Sequence, residues 1–313
     1  MIVLSRGLLR EQADEMVSGI DAEFVFAQDN RDDIWAAASD LDGIVNCPRA
    51  LFDPPLLAKL QPRLKWVHNG GAGVETFMFP EFVNSGIVFT NGRIIQGPEC
   101  SDHAMALLLA LTRNLHLILR GKTAEMPRPI ELLGKTAAVI GCGGIGLLTA
   151  EKLAAHGVKV IGIDEDYIPM VSFISKLHNV DNGLEILGEC DFVVMAAPHT
   201  FRTARIMDAH AFSCMKRGSY FVNVSRGTTV DTDALVEALK SGHLAGAGLD
   251  VTSPEPLPAD HPLRQMDNVI ITPHSAGLSD FNRQRSLEVI RGNIKRFVAG
   301  QPLCNEVDKS RGY

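Results

Sequence analysis

Short runs of β-branched and aromatic residues alternate with helical patterns along the whole chain. Helical stretches such as Pro54–Leu60 and Thr232–Lys240 separate these runs, and parallel strands require crossovers of this kind. The alternation therefore predicts an α/β fold whose parallel sheets are covered by helices on both faces. The predicted strands are Ile2–Ser5, Glu23–Ala27, Gly43–Cys47, Leu64–His68 and Ile87–Thr90 in a first series, and Thr136–Ile140, Lys159–Ile163, Asp191–Ala196, Ser219–Val224, Ala245–Asp250 and Val269–Thr272 in a second.

The length of the chain and the two strand series predict two domains. A chain of 313 residues corresponds to two domains at about 150 residues each. We expect the last helix, near Asp280–Ala299, to pack back on the first domain. The first domain is therefore predicted over 1–98 plus 283–313, and the second, over 99–282, is inserted into it.

A long apolar stretch lies between the two strand series and predicts a helix over Cys100–Arg120. Its side chains are too apolar for a helix with one exposed face, so we expect it to be buried in an interdomain or a subunit interface. A subunit interface would make the protein a homodimer, and an interdomain contact would explain the same pattern.

Composition excludes several classes of partner. The net charge of −7 argues against nucleic acid or an anionic membrane as the main partner. The longest unbroken apolar run, Ala104–Leu111, is much shorter than the roughly 20 residues of a membrane span. The N-terminus does not have the form of a signal peptide, and the cysteines form no C-x-x-C pair. We expect a cytoplasmic protein with reduced thiols and no metal site.

A glycine motif follows the predicted strand Thr136–Ile140. Gly141, Gly143 and Gly146 form a G-x-G-x-x-G sequence, and a helical pattern over Leu147–His156 comes next. In this context the first glycine makes the tight turn, the second lets the backbone approach a pyrophosphate, and the third lets helix and strand pack closely. The motif predicts a dinucleotide site in which the helix N-terminus faces the phosphates.

An acidic group follows the next predicted strand. Asp164 lies roughly 20 residues after the glycine motif, where a carboxylate binds the hydroxyls of the adenosine ribose. Glu165 and Asp166 come directly after it. Three carboxylates would repel a 2′-phosphate, so we expect the cofactor to be NAD (NADH) rather than NADP.

Three residues that suit redox chemistry at a carbonyl group follow later strands. Arg226 and His274 each lie just after a predicted strand, and Glu255 lies on the loop after another. Loops at the carboxyl ends of strands line the ligand crevice of an open parallel sheet. An Arg, a Glu and a His on different loops that face one nicotinamide site favour a redox reaction between a carbonyl group and an alcohol.

Seven linked motifs resemble the D-2-hydroxyacid dehydrogenase family, and the resemblance covers about residues 43–310. The motifs are HNGGAGVE at 68–75, SDHAMALLLALTRN at 101–114, GCGGIG at 141–146, APHTFRT at 197–203, VNVSRGTTVDTDALVEALKSG at 222–242, GAGLDVTSPEPLP at 246–258 and ITPHSAG at 271–277. The resemblance implies two doubly wound parallel sheets. The second domain would be a Rossmann-type dinucleotide-binding domain inserted into a flavodoxin-like substrate domain.

The resemblance also implies roles for single residues. His274 would be the general acid and base, Glu255 its partner, and Arg226 the anchor of the substrate carboxylate, which also polarises the carbonyl group. Gly71, Ala72 and Gly73 would bind the substrate together with Arg226 and His274. The implied cofactor contacts are Gly141, Gly143, Gly144, Ile145, Gly146, Asp164, Ala197, Pro198, Thr200, Val224, Ser225, Arg226, Asp250, His274, Ala276 and Gly277.

Three functions stay open from the sequence. The first is an NAD-dependent dehydrogenase that interconverts a small D-2-hydroxyacid and its 2-ketoacid. The second is a glyoxylate/hydroxypyruvate reductase with the same fold, and the third is an NAD-sensing scaffold that resembles the corepressor branch. The segment around Trp66 is closer to the reductase branch. We expect the pocket that selects the substrate to lie near His68 and Asn69.

Overall fold

The computed structural model describes residues 2–5, 10–25, 30–124, 126–166 and 171–313. The strands are β1 Ile2–Ser5, β2 Glu23–Val25, β3 Gly43–Val45, β4 Trp66–Asn69, β5 Val88–Asn91, β6 Thr136–Ile140, β7 Lys159–Asp164, β8 Lys176–Asn179, β9 Phe192–Met195, β10 Ser219–Asn223, β11 Leu244–Leu249 and β12 Val269–Ile271. The helices are α1 Arg10–Val17, α2 Arg31–Ala37, α3 Pro54–Leu60, α4 Pro80–Val83, α5 Gly97–Thr112, α6 Leu115–Leu119, α7 Gly144–Ala155, α8 Val180–Gly183, α9 Ala209–Cys214, α10 Thr232–Lys240, α11 Pro262–Gln265 and α12 Asn282–Val298.

The chain divides into two compact units, which we call unit 1 and unit 2. Unit 1 is Met1–Ile95 with Ser279–Tyr313, and unit 2 is Gln96–Leu278. The boundaries expected for the functional domains, at 98/99 and 282/283, stay a prediction. No helix in the described part of the chain is long and apolar enough to cross a membrane.

Unit 1 contains a parallel sheet in the order β2-β1-β3-β4-β5. Neighbouring residues of one strand alternate between its two faces, so Ile44 and Val67 join one apolar cluster while Val45 and Trp66 join another. α12 packs its buried Ile290 into the second cluster. This strand order is the flavodoxin-like one that the sequence predicted.

Unit 2 contains a parallel sheet in the order β12-β11-β10-β9-β6-β7-β8. Ile140 and Val193 pack into a cluster on one face, and Val139 and Val194 pack into a cluster on the other. The order reverses between β6 and β9, which is the topological switch point of a Rossmann-type fold. The α/β class with two doubly wound sheets is therefore confirmed.

The apolar segment after residue 100 differs from its prediction. The chain forms two helices, α5 and α6, because Asn114 adopts a left-handed conformation with φ of 57° between them. The apolar face of α5 is buried inside unit 2 itself, where Ala104 and Leu108 join the cluster around Val139. A single helix over Cys100–Arg120 is therefore wrong, and burial of this face needs no subunit interface.

The two sheets end in edge strands that compare differently with the sequence predictions. β8 was not predicted, because its sequence, KLHN, lacks the β-branched and aromatic residues that mark a strand. The described part of the strand predicted over Glu23–Ala27 is β2, Glu23–Val25, and residues 26 and 27 lie outside the described residues.

Candidate functional site

The glycine motif forms a tight turn between β6 and α7 in unit 2. Gly141 has a φ of 88°, and a Cβ atom there would lie 2.4 Å from the backbone of Ala197. A Cβ atom on Gly146 would lie 1.8 Å from the carbonyl oxygen of Gly141. A Cβ atom on Gly143, in contrast, would meet nothing within 4 Å. The first and third glycines are thus required by internal packing, while the second borders open space at a helix N-terminus. This shape fits a dinucleotide pyrophosphate.

Asp164 ends β7 and is hydrogen-bonded to the backbone of the glycine turn. Its Oδ2 accepts from the amide of Cys142 at 2.6 Å, and its Oδ1 accepts from the amide of Asp166 at 2.9 Å. Cys142 itself is buried, and burial raises the pKa of its thiol to about 12. A thiol with that pKa stays protonated at neutral pH, so Cys142 fills space rather than reacts.

Arg202 lies beside the predicted acidic group and was missed by sequence reasoning. Its Nη1 contacts Glu165 Oε1 at 3.2 Å. The signal was present in the sequence, because Arg202 is the one cation inside the segment APHTFRT. Its positive charge offsets part of the repulsion toward a 2′-phosphate that the three carboxylates were expected to create.

His274 and Glu255 form a close pair after two neighbouring strands, β12 and β11. His274 Nδ1 and Glu255 Oε1 are 2.6 Å apart. Because an ionised carboxylate only accepts hydrogen bonds, Nδ1 carries the proton of this bond, and Nε2 is the nitrogen that gains or loses one. The side chains are 47% and 40% exposed, so a substrate can reach the imidazole. The second oxygen of Glu255 accepts from the amide of Thr252 at 3.3 Å.

Asp250 holds the loop that carries His274. Its Oδ1 accepts from the Thr272 hydroxyl at 2.6 Å and from the Ser275 amide at 2.9 Å. Its Oδ2 accepts from the Ala276 amide at 2.9 Å, and its carbonyl oxygen accepts from the His274 amide at 2.9 Å. Both carboxylate oxygens of this buried side chain therefore organise the protein itself, whereas the family resemblance implied only a contact with the cofactor.

Arg226 lies directly after β10, the next strand of the sheet. Asn223 fixes the turn, because its Nδ2 donates to Arg226 O at 3.0 Å and its Oδ1 accepts from the Ser225 amide at 3.0 Å. A Cβ atom on Gly227 would lie 1.9 Å from Thr252 O, so the loops after β10 and β11 are in direct contact. The loops of three adjacent strands thus bring Arg226, Glu255 and His274 to one edge of the sheet.

The other predicted cofactor contacts also lie at this edge of the unit 2 sheet. The loop after β9 is closed by Thr203, whose hydroxyl donates to Pro198 O at 2.6 Å and accepts from the Thr200 amide at 2.7 Å. Each predicted residue lies in the first turn of α7, at the end of β7, or in a loop that follows β6, β9, β10, β11 or β12: Gly141, Gly143, Gly144, Ile145, Gly146, Asp164, Ala197, Pro198, Thr200, Val224, Ser225, Asp250, Ala276 and Gly277.

The segment Gly71–Gly73 in unit 1 has its carbonyl groups turned into the protein. Asn69 Nδ2 donates to Gly71 O and to Gly73 O, at 3.0 and 2.7 Å. Asn91 Nδ2 donates to Ala72 O at 2.7 Å. Among the described residues no protein acceptor takes the amides of Gly71, Ala72 or Gly73. A row of backbone amides without acceptors is suited to binding a carboxylate.

His68 is fully buried in unit 1. Its Nδ1 and Thr90 Oγ1 are 2.8 Å apart, and burial lowers the pKa of the imidazole to about 4. Asn69, the other residue expected near the pocket, orders the segment described above. Asn91 was not predicted as a site residue, although it is a polar side chain at the carboxyl end of a buried strand.

Comparison with known proteins identifies the family. A family model described as "D-isomer specific 2-hydroxyacid dehydrogenase, NAD binding domain" matches residues 105–276, which is more than half of the chain. The chain belongs to this family. It is therefore an oxidoreductase that acts on 2-hydroxyacids and 2-ketoacids with a nicotinamide dinucleotide. No group of three or more potential metal ligands occurs among the described residues.

Relatives of this family member include a glyoxylate reductase from Thermofilum pendens, which is 33% identical over 77% of this chain and 74% of its own. A solved D-isomer specific 2-hydroxyacid dehydrogenase from Xanthobacter autotrophicus, in complex with NADPH, has a TM-score of 0.83 and 28% identity over 100% of this chain and 99% of its own. An NADPH-dependent glyoxylate/hydroxypyruvate reductase from Sinorhizobium meliloti has a TM-score of 0.81 and 27% identity over the same shares.

The contrast between two glycines of the turn gives a test. Gly146→Ala should lower the free energy of unfolding by about 1–3 kcal/mol, because its Cβ would overlap Gly141 O. Gly143→Ala should leave stability unchanged and weaken NADH binding, because its Cβ would occupy the open space. Thermal melting and NADH fluorescence titration measure the two effects. Equal stability of both variants would contradict this account of the turn.

Proposed function

We propose that the protein is an NAD-dependent D-2-hydroxyacid dehydrogenase that interconverts a small D-2-hydroxyacid and its 2-ketoacid. The observation that carries the proposal is the 2.6 Å pair between His274 and Glu255 on the sheet edge that also bears the glycine turn. Within unit 2, an acid–base group and a dinucleotide cradle thus meet the two requirements of carbonyl reduction. The bound dinucleotide supplies the hydride, and the protein must supply the proton.

His274 is the proposed general acid in reduction and general base in oxidation. Glu255 accepts the Nδ1 proton, so the imidazole keeps one orientation and one tautomer when it is neutral. In reduction, Nε2 of the doubly protonated imidazole donates its proton to the carbonyl oxygen as the hydroxyl group forms, and in oxidation Nε2 of the neutral imidazole takes a proton from the hydroxyl group.

Arg226 and the Gly71–Gly73 amides are the proposed groups that bind the substrate. A guanidinium group can bind a carboxylate through two parallel hydrogen bonds, and its charge polarises the neighbouring carbonyl group. The amides of Gly71, Ala72 and Gly73 are also suited to a carboxylate, since their carbonyl groups are already used by the protein. The backbone amides of Gly71–Gly73 and the Arg226 guanidinium are thus the groups proposed to orient the substrate.

We propose that Asp164 accepts hydrogen bonds from the hydroxyls of the adenosine ribose and so favours NAD over NADP. Each of its oxygens accepts one backbone amide, and a carboxylate has about four lone-pair sites, so acceptor capacity remains for ribose hydroxyls. The other proposed cofactor contacts are the predicted residues placed at the sheet edge above. The support for unit 2 as the cofactor domain is that the matched family segment, 105–276, falls within it.

Glyoxylate or hydroxypyruvate is the proposed substrate in the alternative form of this function. A relative named glyoxylate reductase supports that alternative, as does the structural likeness to the Sinorhizobium meliloti reductase. A homodimer also stays a proposal. Its support is that α6 leaves Leu115, Ile118 and Leu119 exposed, the last at 87%.

His274→Ala tests the acid assignment. The wild-type protein should oxidise NADH, followed at 340 nm, with at least one of glyoxylate, hydroxypyruvate, pyruvate, phenylpyruvate and 2-ketoisocaproate. The variant should lose about 10²–10⁴-fold in kcat, because no other group protonates the carbonyl oxygen. NADH fluorescence titration should give a Kd close to that of the wild type.

The matched control for this test is His210→Ala, an exposed histidine on α9. It should keep wild-type turnover. Full activity of His274→Ala would remove His274 as the acid. A wild-type protein that binds NADH tightly but turns over none of the ketoacids would favour the scaffold function instead.

Asp164→Ala tests the cofactor assignment. The variant should bind NADH about tenfold or more weakly, because hydrogen bonds to a charged group are lost. The ratio of kcat/KM for NADPH to that for NADH should rise. Asp164→Asn is the matched comparison, since its one oxygen can still accept from the Cys142 amide, while the negative charge and the second acceptor are removed. If neither variant changes the ratio, another residue determines the preference.

A further inference from the structure

The loop that carries His274 adopts a backbone conformation that histidine rarely takes. His274 has a φ of 53°, in the left-handed region, where most residues with a Cβ atom are disfavoured. Such a conformation persists only where surrounding contacts determine it. The contacts that fix this loop therefore also fix the direction of the imidazole.

Asp250 provides most of these contacts. Its carboxylate accepts from the Ser275 and Ala276 amides, which follow His274, and from the hydroxyl of Thr272, which precedes it. Asp250 is thus hydrogen-bonded to the loop both before and after His274. The position of the Asp250 carboxylate sets the position of the whole segment.

Thr272 and His103 complete a directed chain of hydrogen bonds. The Thr272 hydroxyl has one proton, and it donates that proton to Asp250 Oδ1 at 2.6 Å. Its oxygen must therefore accept from His103 Nε2, which lies 2.9 Å away. His103 Nε2 is then a donor in every protonation state, and it also lies 3.4 Å from Asp250 Oδ1.

We propose that His103 and Thr272 are positioning residues for His274. The chain runs from His103 on α5 through Thr272 to Asp250, and from Asp250 to the loop amides on both sides of His274. These hydrogen bonds keep His274 Nδ1 in contact with Glu255, and so orient Nε2 toward the substrate. This inference rests on the proposed function for its kinetic consequence, while the hydrogen-bond chain itself is independent of any reaction.

Thr272→Val removes the hydroxyl at nearly constant volume. We expect kcat to fall about tenfold or more, because small misplacement of a catalytic group is costly. KM for the ketoacid should stay within about twofold, since Arg226 and Gly71–Gly73 are untouched. Thr272→Ser restores the hydroxyl and should recover kcat to within about threefold of the wild type.

Two further variants separate positioning from a general loss of structure. Thr112→Val is the matched control, because it makes the same substitution elsewhere in unit 2 and removes the hydroxyl that Thr112 Oγ1 donates to Leu108 O at 2.9 Å. It should leave kcat unchanged. His103→Phe should lower kcat as Thr272→Val does, and the double variant should be no slower than Thr272→Val alone, because both act through one chain.

NMR of the histidine rings, on protein with 15N-labelled imidazoles, tests this chain of hydrogen bonds without measuring turnover. The His103 signals should show a proton on Nε2. The His274 signals should shift in Thr272→Val, return in Thr272→Ser and stay in place in Thr112→Val. Assignment comes from the spectra of His103→Phe and His274→Ala.

The outcomes distinguish this inference from the proposed function. Unchanged kcat and His274 signals in Thr272→Val, or a Thr272→Ser variant as slow as Thr272→Val, would overturn the positioning role while leaving the dehydrogenase function intact. Additive losses in the double variant would also overturn it. If the wild-type protein turns over no ketoacid, the proposed function fails, and the NMR shifts alone decide whether the chain positions His274.

Discussion

The parallel direction of the strands in unit 2 is the constraint on which the candidate site depends. Because all carboxyl ends lie at one edge, each loop that leaves a strand there starts beside the loops of its neighbours. β6 supplies the glycine turn, β7 supplies Asp164, and β10 to β12 supply the residues of the acid–base pair and the cation. Residues far apart in sequence therefore meet without any element having to leave the sheet.

The two aspartates of this site are held mainly by backbone amides. Asp250 is buried and accepts from two amides and one hydroxyl, and Asp164 accepts from two amides. Such bonds to a carboxylate are stronger than those between neutral groups. In unit 1, the side-chain amides of Asn69 and Asn91 donate to the carbonyl groups of Gly71–Gly73. The backbone amides of the same segment stay available for an anion.

The sequence was sufficient for the strand series, the glycine turn and the loop positions of Arg226, Glu255 and His274, because each has a local pattern. It did not predict β8, whose polar residues lie at a sheet edge, or the break at Asn114, where an apolar pattern continues across a left-handed residue. The grip of Asp250 on the loop and the contact of Arg202 with Glu165 join residues distant in sequence, so no local pattern could show them.

The protein is proposed to protonate the C2 carbonyl oxygen of a 2-ketoacid while the hydride adds to the carbonyl carbon. The most direct measurement uses NADH with deuterium at both C4 positions and analyses the product by mass spectrometry and on a chiral column. We expect a D-2-hydroxyacid with one deuterium at C2. A product without deuterium at C2, or one of L configuration, would contradict it.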